Sequence, residues 1–261
     1  MLMVLSPAKK LDFDSPVRTA LHTAPVFPAD TRALVSVLQG LSPGDLAGLM
    51  HLSDALSQLN ADRYRAWVDQ PDTAAARPAV LAFNGDVYEG LRAAQLSDAQ
   101  LSWAQDHLAI LSGLYGVLRP LDLIQPHRLE MGTRLKTGRG HSLYEFWGDR
   151  IARTLNQRLA AQAGPAVLLN LASQEYFKSV DRKTLTAQVV DCVFQDEKNG
   201  VWKVISFHAK RARGLMARFV IDQRLDRTEG LKEFAAEGYA FDAGQSTPSR
   251  LVFRRPERFI P

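Results

Sequence analysis

Between residues 198 and 221, in KNGVWKVISFHAKRARGLMARFVI, six cations occur without a single carboxylate: Lys198, Lys203, Lys210, Arg211, Arg213 and Arg218. Elsewhere the chain intermixes its charges, so an acid-free run is where an external anion would meet cations that have no internal partner. Wound as a helix at about 100° per residue, the stretch from Ala209 sorts into two sides. Ala209, Ala212, Leu215, Met216, Phe219 and Val220 share an apolar face, and Lys210, Arg211, Arg213, Arg218 and Arg224 share a basic one. Gly214 falls within the basic face, where a missing side chain admits either a neighbouring backbone or a phosphate. A basic helix face is most often simply solvated. Here the acids that would pair with these cations at i,i+4 are absent until Asp222. A strand also feeds the helix, so the positive end of the helix dipole adds to the charge. The chemistry expected is the binding of a polyanion such as nucleic acid, or of a phosphorylated small molecule.

A second candidate is Leu111-Ser-Gly-Leu-Tyr-Gly-Val-Leu-Arg-Pro120. Read as two helices joined by a turn between Gly113 and Gly116, it is either an ordinary αα-hairpin with a glycine cap or a helix-hairpin-helix element offering backbone N–H groups to phosphate. The second form holds the DNA backbone without reading bases, and Arg119 would add a phosphate contact. Two residues lie between the glycines where such hairpins usually have one.

Polar residues also follow predicted strand ends, a common ligand position. Lys9 and Lys10 follow the strand at residues 2–5, with Asp12 able to hold a lysine in place. Asp86 and Tyr88 follow residues 79–83, with Asp86 a candidate helix N-cap. Arg128 stands two residues from Glu130, and Asn170, Ser173 and Glu175 leave the end of the strand at residues 167–171. Each group has a plain reading as a turn, a cap or a self-neutralised pair. Were they to converge, a carboxylate could act as a general base on an anion held by the basic helix.

Other chemistries find no support. There is no G-x-S-x-G, GxxxxGK[ST] or GxGxxG. His22, His51, His107, His127, His141 and His208 are scattered, and Cys192 is the only cysteine, so neither a metal nor a cofactor is expected. The lone cysteine excludes an internal disulfide. No window approaches a membrane span, and the N-terminal MLMVLSPAKK lacks a signal-peptide pattern, so a cytoplasmic protein is expected. Net charge is +4 with a pI near 9.3, too little for binding by bulk charge, so any polyanion must be held by local clustering.

The elements that must position these residues form an α+β mixed sheet flanked by helices, one domain over 1–261, with no break strong enough to divide it. Strands are predicted at 2–5, 79–83, 167–171, 187–195, 201–207 and 250–254. Asn199-Gly200 marks an antiparallel hairpin. Helices are predicted from Asp30, after Ser42-Pro43 with an acid at Asp45, from Ser53 to about Trp67, over about 98–111 behind a Ser97/Gln100 capping box, and from Ala209.

Seven segments in register, SPAKKLD (6–12), GDVYEGL (85–91), LSGLYGVLRPLDL (111–123), RLEMG (128–132), LYEFWGD (143–149), NLASQEYFKSV (170–180) and DEKNG through ISFHAKRARGLMARF (196–219), resemble the YaaA family of bacterial proteins. The likeness runs from the first residues to about Phe241. It implies a cytoplasmic protein of the peroxide-stress response that protects DNA and protein from hydrogen peroxide by keeping free iron low. It further implies a single-domain mixed α/β fold with a positively charged cleft and a helix-hairpin-helix element that binds duplex or distorted DNA. By position, the family's basic residues fall on Lys9, Arg119, Arg128, Lys210, Arg213 and Arg218. The leading expectation is therefore DNA binding of weak sequence specificity, with six to eight phosphate contacts giving a log K against log salt slope of roughly −5 to −7. The alternative is an enzyme acting on a nucleotide, nucleobase or phosphorylated metabolite in the same basic cleft.

Overall fold

A computed structural model describes residues 1–260. In chain order the elements are β1 (Leu2–Leu5), β2 (Lys10–Leu11), α1 (Pro28–Gln39), α2 (Pro43–Met50), α3 (Asp54–Ala66), β3 (Arg77–Pro78), α4 (Ala79–Ala82), β4 (Phe83–Asn84), α5 (Asp86–Leu91), α6 (Asp98–His107), β5 (Leu108–Ser112), β6 (Gly116–Leu118) and β7 (Leu123–Ile124). They continue as α7 (Leu143–Trp147), α8 (Arg150–Ala160), β8 (Val167–Asn170), α9 (Gln174–Phe177), β9 (Gln188–Lys198), β10 (Val201–Lys203), α10 (Ser206–Gln223), β11 (Ala240–Phe241) and β12 (Arg250–Arg255).

The main sheet is mixed, in the order β11-β12-β9-β8-β1-β5-β6, with β10 paired to β9 as an eighth strand. Its centre is parallel from β12 through β9, β8 and β1 to β5, and antiparallel partners close it at β6, β10 and β11. All four residues of β1 and all five of β5 are buried, as continuous apolar strands in a parallel sheet must be. The chain leaves β1 for β5 on one side, then returns to β8 on the other and proceeds outward to β9 and β12. Strand order therefore reverses between β1 and β8, and in open α/β sheets the crevice beyond the strand ends at such a reversal is the usual ligand position.

Local signals explain many element ends. Ser42 and Asp45 form a reciprocal capping box at α2, as do Ser97 and Gln100 at α6. The β9–β10 hairpin turns through Asn199 and Gly200, both with positive φ (55° and 73°), the geometry that favours Asn-Gly.

Three expectations are corrected. Residues 79–82 form the single-turn helix α4, and only Phe83 and Asn84 are strand. Ala79, Val80 and Ala82 are buried and Leu81 partly so, and so short an apolar run carries no period that separates helix from strand. Asp86 is the first residue of α5 and Gly85 occupies the cap position.

The third correction concerns Gly113 and Gly116, which do not join two helices. Helix α6 ends at His107, and the apolar run that follows is β5, paired with β1 on one side and with β6 on the other. The glycines bound a β-hairpin turn with Ser112 opposite Gly116, so this segment contains no helix-hairpin-helix element. Both glycines are packing positions. A β-carbon on Gly113 would lie 2.3 Å from the Leu129 carbonyl oxygen, and one on Gly116 (φ 71°) would lie 2.7 Å from the Trp147 ring. The Trp147 indole N–H donates to the Gly113 carbonyl at 2.9 Å, fixing the turn to α7.

Candidate anion-binding cavity

A cavity of about 450 Å³ opens beyond the C-terminal ends of β1, β5 and β8, at the strand-order reversal. Its floor is stitched by serines. Ser6, directly after β1, accepts a hydrogen bond from the Ser173 amide at 2.9 Å and donates its hydroxyl to Ser173 Oγ at 3.3 Å. Ser173 in turn caps α9. The Tyr88 hydroxyl donates to the Ser6 carbonyl at 3.0 Å, and burial pushes its pKa well up, so Tyr88 is a neutral strut beneath the cavity.

Five cations line the walls, Lys9, Lys10, Arg128, Lys210 and Arg213, against three carboxylates, Asp86, Glu130 and Glu175. Glu130 bridges two of the cations: Lys9 Nζ lies 2.9 Å from one carboxylate oxygen and Arg128 Nη2 3.1 Å from the other. Glu175 accepts the Gly132 amide at 2.9 Å. Lys210 Nζ is 3.9 Å from Asp86, the outer limit of an ion pair between half-exposed groups, which contributes little. Lys10 and Arg213 make no ion pair and no side-chain hydrogen bond among the described residues. Arg213 is partly buried, and that desolvation lowers its pKa. The cavity thus holds a net positive charge concentrated on its least neutralised members.

His127 also lines the cavity, and nothing in its sequence context singled it out. Its Nδ1 lies 2.8 Å from the Gln125 carbonyl, and its ring stands edge-on to Tyr115 and Phe83. Burial pulls its pKa down to about 4, so it is a neutral imidazole at physiological pH.

The remaining candidates lie elsewhere, for identifiable reasons. Arg211 is clasped by Glu237, which accepts from Nε at 2.9 Å. That pairing raises the arginine's pKa and lowers the glutamate's. Arg218 pairs with Asp222 at 2.8 Å along the same helix. Arg119 follows β6, which runs back toward the opposite end of β5, and its guanidinium lies 2.9 Å from the fully buried Asp122. Gly214 is buried against α5, where a β-carbon would lie 1.8 Å from the Val87 carbonyl oxygen; a helix backbone, and no phosphate, occupies the gap. Asn170 donates to Asp191 at 2.8 Å and lines a neighbouring cavity. Among the described residues no three His, Cys, Asp or Glu side chains stand together as a metal site would need, and no helix is long and apolar enough to cross a membrane.

Fold and cavity together define an α/β protein with a cation-lined crevice at the reversal point of a largely parallel sheet. The chain belongs to the family described as peroxide stress protein YaaA, whose model matches residues 1–245. A UPF0246 protein of Bordetella petrii is 64% identical over 255 residues, covering 98% of this chain and 99% of that one. UPF0246 proteins of Bordetella pertussis (62% over 257 residues, 98% and 100% covered) and Paracidovorax citrulli (61% over 258 residues, 98% and 99% covered) match over the same extent. Membership of this family supports a role in peroxide stress.

Proposed function

We propose that this peroxide-stress protein binds DNA through its phosphates at the mouth of the cavity beyond β1 and β8. The observation that carries the reading is Arg213, a partly buried guanidinium without an ion pair among the described residues, in the same cavity as the unpaired Lys10. A partly buried arginine with no carboxylate beside it carries a desolvation cost that an anion arriving from outside would offset. Lys9 and Lys210 are exposed and shared with single carboxylates, so both can exchange to a phosphate.

With Arg211, Arg218 and Arg119 committed internally, about four contacts remain, and the salt slope falls to roughly −3 to −4. Protein cations seated on phosphates displace the metal counterions held there. Occupancy would thereby remove iron from the sites where hydrogen peroxide generates radicals beside DNA. Titration of labelled duplexes of unrelated sequence from low to physiological salt tests this: equal affinities and that slope support it, and an affinity indifferent to salt contradicts it.

A second reading has its own observation. The cavity is bounded, of the size that takes a single nucleotide, and holds Glu130, Glu175 and Asp86. An enzyme acting on a nucleotide or phosphorylated metabolite would use the cations for phosphate and a carboxylate as base. A thermal-shift screen with nucleotides tests it, and the absence of any stabilising nucleotide counts against it.

A further inference from the structure

A second cavity of about 600 Å³ adjoins the first, where β9 extends beyond the end of β8. Helix α9 and Arg213 divide the two. Glu175 and Tyr176 face the first cavity, Gln174 and Phe177 the second, and Arg213 is the one residue lining both. Besides Arg213, the second cavity is walled by Lys178, Arg182 and Arg250, and its only carboxylates are Asp181 and Asp191.

Among the described residues none of these four cations has an acid within ion-pair distance, and both acids accept hydrogen bonds from neutral groups. Asp181 accepts from the Thr184 hydroxyl at 2.6 Å and from the Thr184 and Lys183 amides, while Asp191 accepts from Asn170. Three of the cations contact neutral groups, and Arg250 also stands opposite Asp191 in the β12–β9 register. Lys178 Nζ stands 4.8 Å from the Tyr144 ring centre, the Arg182 guanidinium 5.8 Å from that of Phe177, and Arg250 reaches the Gln245 carbonyl at 3.4 Å. Both linings carry a net charge of +2, but here all four cations lack an ion pair, against Lys10 and Arg213 alone in the first cavity.

We infer that this second cavity is a phosphate seat continuous with the first through Arg213, so that one ligand bearing two or more phosphates lies across that arginine with a phosphate on either side. Free polyphosphate compounds, such as nucleoside triphosphates, and the phosphodiester backbone of DNA share this chemistry. The inference builds on the reading of the first cavity as an anion site, but it has a separate readout because the cations that define the second are different residues.

The test compares the full-length wild type with the double substitution Arg182→Gln and Arg250→Gln. Both residues are exposed, so the fold is expected to survive, as a thermal melt would verify. The probes are inorganic tripolyphosphate, followed by calorimetry, and a short labelled DNA duplex, followed by anisotropy. Tripolyphosphate affinity is expected to fall about tenfold or more.

If duplex affinity falls as well and its salt slope shrinks by about 2, the seat lies on the path of DNA. If duplex affinity is unchanged while tripolyphosphate is lost, the seat serves a free phosphorylated compound. If the wild type binds no DNA at all but the tripolyphosphate loss persists, the DNA reading fails and the second seat stands. Tripolyphosphate binding that is absent from the wild type, or undiminished in the double variant, overturns the inference.

Discussion

Gly90 of α5 and Gly214 of α10 interlock at the crossing of the two helices. A β-carbon on Gly90 would lie 2.2 Å from the Arg211 carbonyl oxygen, and one on Gly214 would lie 1.8 Å from that of Val87. The obstructing atoms are backbone on both sides, so neither helix can yield by turning a side chain. The contact seats Asp86, at the start of α5, opposite Lys210 of α10 and so sets the width of the cavity between them.

Gly214→Ala should therefore destabilise the protein by about 2–3 kcal/mol. The overpacking penalty outweighs the roughly 1 kcal/mol that alanine contributes as the better helix former. Denaturant unfolding would register this as a lower midpoint at unchanged slope. A variant as stable as wild type would mean that the crossing is loose.

Arg119 and Arg218 separate two roles that sequence alone merges. Arg119→Gln removes the guanidinium from the fully buried Asp122 and should cost about 2–3 kcal/mol of stability, leaving DNA affinity unchanged. Arg218→Gln breaks a single pair on its own helix and should cost no more than about 1 kcal/mol, again without changing affinity. Equilibrium unfolding and duplex titration on the same preparations check both. A fall in affinity for either variant would place that arginine on the DNA.

Acid should weaken the fold through His127. In the folded protein its pKa is about 4, below the ordinary 6.5, so the unfolded chain takes up this proton first as pH falls. The stabilising contribution of the neutral ring is whole above about pH 6.5 and declines toward pH 4, by on the order of 3 kcal/mol. The difference in unfolding free energy between wild type and His127→Gln, followed from pH 7 to pH 4, should narrow by about that amount. A constant difference would show that His127 is not held neutral.

Much of the cavity was legible because strand ends and polar residues are local features. Lys9, Asp86, Glu130, Ser173 and Glu175 each follow a short apolar run or a turn, and the fold does bring them to one crevice. The hairpin at Asn199-Gly200 and the capping boxes were legible for the same reason: their chemistry lies within a few residues.

Pairing over distance was not legible. The segment 108–112 continues an amphipathic helix without a stop signal, and only its place between β1 and β6 makes it a strand. Arg211 meets Glu237 from 26 residues away, so an acid-free stretch was not an unneutralised one. Conversely, Lys178 and Arg182 stand close to Asp181 in sequence, while in space that acid is engaged with Thr184.

The central claim is that Arg213 lacks a counter-charge because an external phosphate supplies one, and the Arg213→Gln variant tests it most directly when melting temperature and duplex affinity are measured together. Removing a partly buried and unpaired cation should leave the ligand-free protein as stable as wild type or more so, while affinity falls about tenfold. A variant that melts several degrees lower yet binds DNA with wild-type affinity would contradict the account.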